Sequence, residues 1–260
     1  MHKYLKTVFL SFQDALAYRF NLVFLIFKEF LMLGVFVLLW STIYSEGNSL
    51  AGFEFRDILL YYFGVSFISL SASDAVAWIL SDDIRQGNVL NFILKPLRGF
   101  WYWFCINLGH RTGNGIFIIP LYVIGFCVLI FGHYLLLEAF LMYLVFVVGM
   151  FFLMFVVYFF LGTIAFFTDS AWGFILSWIF IAGFLGGRIL PVDAFPQWLI
   201  KINAFLPFQY FYYVPARMLA GDFSHAGFFA LMLIAWTVFF AAAGQSIWYY
   251  GLRRYEAYGG

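Results

Sequence analysis

Six stretches of this chain, residues 22–44, 58–80, 105–131, 139–167, 171–187 and 226–250, run almost without a charged side chain. A helix needs about 20 mostly apolar residues to cross the ~30 Å hydrocarbon core of a bilayer, whereas the strands of a membrane barrel are about half as long and alternate apolar with polar positions. These runs are too long and too uniformly apolar for barrel strands. The rest of the chain does not dilute the signal: of 260 residues 65% are hydrophobic and only 10% charged, against about 25% charged in a soluble domain. Too few polar side chains remain to clothe a water-facing surface. The expected fold is an all-α integral membrane protein, a single transmembrane domain over residues 1–260 with six transmembrane helices and the lipid bilayer as its solvent. A net charge of +1 provides no surface for nucleic acid.

Lysine and arginine set the orientation, because cytoplasmic segments carry their excess. With the N-terminus inside, ten of the 14 fall on the cytoplasmic side and four, Arg56, Arg188, Lys201 and Arg217, outside. Six crossings then return the C-terminus, so both termini are expected in the cytoplasm of a multi-pass plasma (inner) membrane protein. Ahead of the first run, Leu5, Val8, Phe9, Phe12, Leu16 and Phe20 recur at helical spacing with Lys6, Gln13 and Asp14 between them. That pattern describes an amphipathic helix over residues 1–20 lying in the headgroup plane, an elbow before the first span.

Two connectors are not simple loops. Residues 81–99 mix charges with apolar residues and are punctuated by Gly87 and Pro96. Asp82 and Asp83 suit the start of a short helix, where negative charge complements the dipole. Gly87 ends that turn, and Val89, Leu90, Ile93 and Leu94 give a second apolar face. Residues 188–225 hold Pro191, Pro196, Pro207 and Pro215, and are too apolar for a solvated loop and too broken for a span. Pieces 195–205 and 208–219 would each cross about half the core, as a re-entrant helical hairpin entering from the outer face between the fifth and sixth helices. Such half-helices survive only where protein satisfies their freed backbone groups. Trp198, Tyr210, Tyr212 and Tyr213 read as an interfacial aromatic belt.

Catalytic chemistry is hard to find. His2, His110, His133 and His225 stand apart, and Lys3, Lys6, Lys28, Lys95 and Lys201 follow no glycine, so no phosphate-cradling Gly-Lys-Ser/Thr motif exists. The chain reads as a non-enzyme with no catalytic residue, no metal site and no cofactor of its own. Charges embedded in apolar runs are costly and often functional. Lys28 and Glu29, adjacent and so not facing each other, read as interfacial. Asp74, one turn from Trp78, reads as a hydrogen-bonded residue near the cytoplasmic end of the second span. An ATP-independent secondary carrier, or a membrane-embedded lipid enzyme, stays open on the residues alone, although no charged midplane series and no inverted repeat between 1–130 and 131–260 is visible.

Several short motifs in order resemble one family. Leu39-Trp40-Ser41-Thr42-Ile43-Tyr44 closes the first span; Asp83-Ile84-Arg85-Gln86-Gly87 and Leu94-Lys95-Pro96-Leu97 follow the second. Gly187-Arg188-Ile189-Leu190-Pro191, Phe195-Pro196-Gln197-Trp198-Leu199 and Leu206-Pro207-Phe208-Gln209-Tyr210 precede the last. Together they resemble the permease subunits of ABC-2-type transporters, in particular a bacterial two-permease export branch. The resemblance implies that Asp82, Asp83, Ile84, Arg85, Gly87, Val89, Leu90 and Leu94 form a coupling helix seated on a separate nucleotide-binding ATPase subunit, which would bind the ATP and Mg. It further implies a second permease, identical or homologous, as partner, and an exit gate in the external hairpin, at Pro191, Phe195, Pro196, Trp198, Pro207 and Phe208.

Overall fold

The computed structural model describes residues 2–17, 19–46, 54–89 and 99–254, and every regular element among them is helical. In chain order the helices are α1 (His2–Ala17), α2 (Arg19–Ser45), α3 (Phe55–Ser71), α4 (Ala75–Arg85), α5 (Gly99–Phe131), α6 (Leu137–Thr163), α7 (Trp172–Leu185), α8 (Gln197–Asn203), α9 (Tyr213–Leu219) and α10 (Ala226–Arg254). Among the described residues five helical stretches are long and apolar enough to cross a membrane: Val23–Ser45, Phe55–Arg85 (α3 continued by α4), Gly99–Phe131, Leu137–Phe166 and Ala226–Arg254. A sixth apolar helix, α7, has 14 residues.

Helix α6 is the axis of the bundle. Of its most apolar stretch 61% is buried within the chain, against 11% for α2. Tyr143, Met150, Leu153, Met154 and Phe159 are sealed inside, and α4, α5, α9 and α10 pack around them. In lipid no hydrophobic force drives helices together, so close approach at small residues takes its place. Gly162 sits against Leu80 of α4, Gly149 against Leu233 of α10, and Gly64 of α3 against Leu219 and Tyr143.

The same device seats α1. Added Cβ atoms at Gly109 and Gly113 of α5 would lie 2.5 Å from Ser11 Cβ and 2.6 Å from Ala15 Cβ: small residues four apart on each helix face each other. Farther back, Tyr4 borders a depression with Trp101, Phe104 and Cys105. Contacts advance in step along both helices, so α1 runs alongside the first half of α5. Its amphipathic pattern alone suggests a helix resting flat on headgroups. The structure divides the apolar face instead, turning Ser11 and Ala15 inward and leaving Leu5 and Phe9 exposed.

Two stretches expected to be continuous are broken. The second run is interrupted at residues 72–74, where Ala72 is extended. Ser and Asp compete with the helix ladder through their own side chains, and here Ser73 Oγ accepts from the Ala75 N–H at 3.4 Å while its carbonyl receives the Asn107 amide at 3.5 Å. Because α4 continues to Arg85, Asp82 and Asp83 occupy its last turn rather than the first turn of a new helix. The hairpin helices α8 and α9 have seven residues each, shorter than the pieces expected, because α8 starts only after Pro196 and a 3₁₀ turn at Phe208–Tyr210 takes the first residues of the second piece; a further 3₁₀ turn, Val192–Ala194, precedes both.

Candidate functional site

Helix α7 rises about 21 Å at 1.5 Å per residue, short of a ~30 Å core. Its end is locally encoded. Gly187 adopts φ +88°, and the Arg188 and Gly187 N–H groups bond back to the Gly183 and Phe184 carbonyls at 3.1 and 3.2 Å, a Schellman closure. The carbonyls beyond the last turn are then met one by one from elsewhere in the fold. Asn203 Nδ2 donates to Leu185 O at 2.8 Å, the Tyr213 N–H to Gly186 O at 2.9 Å, Tyr61 Oη to Gly187 O at 2.5 Å, and Tyr62 Oη to Ile189 O at 3.0 Å. A helix end so fully satisfied by protein can sit at membrane depth without water.

The segment that follows folds back on the bundle. Pro191, Phe195 and Pro207 are buried, Phe208 is half-buried with its ring 5.0 Å from Trp178, and Pro196 and Trp198 are exposed. Of the residues read as an interfacial belt, Trp198 alone is exposed. Tyr210, Tyr212 and Tyr213 lie inside, where the Tyr210 hydroxyl donates to Ala204 O at 2.8 Å and that of Tyr213 to Asp193 Oδ1 at 2.8 Å. Periodicity cannot separate a belt tyrosine from a buried one with a partner. Arg217 ties the second limb: it bonds the Tyr213 hydroxyl, Asp193 Oδ1 at 3.1 Å and Asp222 Oδ2 at 2.8 Å through Nε. Partial burial pushes the Asp222 carboxyl up, but hydrogen bonds from Ser224 and the Arg217 guanidinium outweigh it and hold the group down at about 2.

Beside the α7 terminus lies a cavity of ≈ 530 Å³ in which charged side chains stand among apolar ones, walled by α1, α2, the α3–α4 break, α5, α6 and α7. Glu29 is buried and paired with Arg188, Nη2 to Oε1 at 2.5 Å, across 159 residues of sequence. Arg188, assigned to the outside on the charge count, and Glu29, read as interfacial, thus line one cavity together. Asp74, at the start of α4, accepts from Trp78 Nε1 at 3.1 Å, the hydrogen bond the sequence suggested, and borders the same space. A second cavity of ≈ 260 Å³, mainly apolar, shares Lys28, Glu29, Ser69, Ile179 and Arg188 with it. Nearby on α5, Arg111 lies 4.3 Å over the Phe151 ring and its Nε donates to Asn107 at 2.8 Å.

At the other end of α4 the expected coupling residues divide. Ile84 and Val89 are buried in the chain's own core. Asp82 and Asp83 are half-buried, while Arg85 and Gln86 are exposed, with Arg85 3.5 Å from Asp82. Gly87, at φ +83° with open space around it, turns the chain as its position suggested. Leu90 and Leu94 lie outside the described residues.

A family model described as ABC-2 family transporter protein matches residues 30–259. The chain belongs to the ABC-2 transporter family. No curated protein matches it. Members of this family are the transmembrane permease components of ABC transporters, which partner in general with an ATPase subunit.

For this ABC-2 chain, the end of the fifth run at Gly187 was legible in the sequence, whereas the break at residues 72–74 and the Glu29–Arg188 pair were not anticipated. The break had a signal, Ser69, Ser71, Ser73 and Asp74 clustered in an otherwise apolar stretch. Nothing local ties Glu29 to Arg188.

Proposed function

We propose that this chain is the membrane-spanning half of an ATP-driven exporter of the bacterial inner membrane, working beside a second permease and coupled to separate ATPase subunits that hold the ATP and Mg. Residues 30–259, matched to the ABC-2 family, carry this reading. Five long helices and α7 would make six crossings, the fifth completed by the satisfied turn at Gly187 and the re-entrant limbs of residues 188–225. Both termini would lie in the cytoplasm, with α1 as the elbow. The exposed end of α4, Arg85 and Gln86 above the Gly87 turn, would dock on the ATPase, while Ile84 and Val89 anchor that end to the bundle. Nucleotide-driven closure then pushes α4 as a rigid lever, and the break at residues 72–74 gives the second crossing a hinge beside the cavity. Residues 188–225 would gate the exit.

Co-expression with a P-loop ATPase from the same genome tests this. The complex should co-purify, and Arg85→Glu with Gln86→Glu should uncouple ATP turnover from transport or break the complex while the permease stays monodisperse. A normally coupled complex carrying both changes would refute the docking assignment. The charged cavity is what an ATP-independent carrier would need. Transport persisting with a catalytically dead ATPase would favour that alternative.

A further inference from the structure

We propose that the two joined cavities form one binding site for a zwitterionic amphiphile, a molecule with an apolar tail, then an anionic group, then a cationic one. The proposal deepens the transport reading by naming a cargo class.

The order of chemistry along the walls carries it. The ≈ 260 Å³ cavity presents Met32, Leu33, Phe36, Val65 and Phe180, a lining for hydrocarbon. At the seam shared with the larger cavity stand Lys28, Glu29 and Arg188. Glu29 is occupied by Arg188, so that pair is neutral. Lys28 is exposed and makes no ion pair among the described residues, leaving one positive charge at the seam. Beyond it the ≈ 530 Å³ cavity is bordered by Asp74 and Asp14, neither of which reaches the apolar cavity. The Trp78 indole N–H orients Asp74, and the His110 ring stands 3.8 Å from Asp14, but among the described residues no lysine or arginine pairs with either carboxylate to cancel its charge.

Apolar, positive, negative is the complement of tail, anion, cation. A purely anionic amphiphile would bring no charge to Asp74 and Asp14, and a nonionic one would leave Lys28 unanswered as well. The larger volume alone falls in the usual range of about 300–1,000 Å³ for small-molecule sites. In such sites a small number of placed charged or polar groups fix the ligand's orientation.

The full chain in a nonionic detergent can be titrated with three ligands of equal chain length, lysophosphatidylethanolamine, lysophosphatidylglycerol and an alkyl maltoside, with binding followed by native mass spectrometry. The zwitterionic ligand should bind at one per chain, about tenfold more tightly than the anionic ligand and about a hundredfold more tightly than the maltoside, the worth of one and of two charge-assisted contacts. Asp74→Asn should reduce the zwitterionic ligand to the anionic ligand's affinity and leave the latter unchanged. Lys28→Ala should weaken both charged ligands, and Lys28→Arg should retain them, which separates lost charge from lost fold. Equal binding of all three, a preference for the anionic ligand, or variants without effect would overturn the proposal. Because ATPase association is scored without amphiphile, an intact complex that ignores these ligands rejects the cargo class alone, and a chain that binds them but recruits no ATPase rejects the transporter reading alone.

Discussion

Three glycine-to-alanine changes separate backbone strain from steric fit at the α7 terminus. Gly34 in α2 has open space around it and a helical backbone, Gly87 has open space at φ +83°, and Gly187 has both φ +88° and close neighbours, with Tyr61 Oη at 2.6 Å and Tyr213 Cβ at 2.9 Å from an added Cβ. Alanine at Gly34 should be neutral or stabilising by up to about 1 kcal/mol, since glycine is the poorer helix former. At Gly87 only the left-handed conformation is penalised, about 1–2 kcal/mol. At Gly187 overpacking adds about 1–3 kcal/mol, for a total of about 2–5 kcal/mol. Thermal unfolding in detergent, read as the monodisperse fraction after heating, should rank Gly34→Ala at or above wild type, then Gly87→Ala, then Gly187→Ala. Tyr61→Phe supplies an internal check. Alone it orphans the Gly187 carbonyl, but in the Gly187→Ala background it also removes the atom in the way, so its cost there should be smaller. If Gly187→Ala proves as mild as Gly87→Ala, the turn is not clamped by Tyr61 and Tyr213, and the case for α7 stopping at membrane depth fails with it.

Other consequences follow from single contacts. Asn203→Leu leaves the Leu185 carbonyl without its 2.8 Å donor and should cost about 1–3 kcal/mol in the same thermal assay, whereas Lys201→Leu on the exposed side of α8 should not. Gly113→Leu drives a side chain into Ala15 and the Phe12 backbone, so α1 should lift from α5, seen as faster tryptic cleavage at Lys6 with the remaining helices still protected. Asp222, depressed to about 2 in the folded protein from an ordinary value of 3.8, binds its proton more readily when unfolded. Its contribution to stability is therefore fully present above about pH 4 and disappears as pH falls through about 2. Asp222→Asn should lower thermal stability at neutral pH and flatten the acid limb of the stability profile over that window.

What could be read from the residues was mostly what lipid imposes on any chain. Charge-poor runs marked the membrane helices, and glycine and proline marked most of the places where those helices stop: Gly87 turns the chain after α4, and Pro196 and Pro207 punctuate the hairpin. Ser73 and Asp74 show the limit of that approach. Each is a weak helix breaker, and a run with one of them inside can stay helical unless, as here, Asn107 of α5 is present to take the freed carbonyl. Tyr210, Tyr212 and Tyr213 show another limit, since a tyrosine belongs at an interface or in a core according to whether its hydroxyl finds a partner.

The order of residues alone therefore determined that the chain builds helices suited to a bilayer and that it holds no Gly-Lys-Ser/Thr motif. Tertiary structure decided which faces meet, and so where the cavity lies and which charges enter it. The physical reason is contrast. In water an apolar stripe identifies the inward face of a helix, but in lipid the side chains facing the bilayer and those facing the bundle are equally apolar, so α2 carries no mark on its sequence to show that Glu29 points toward Arg188 rather than toward a headgroup.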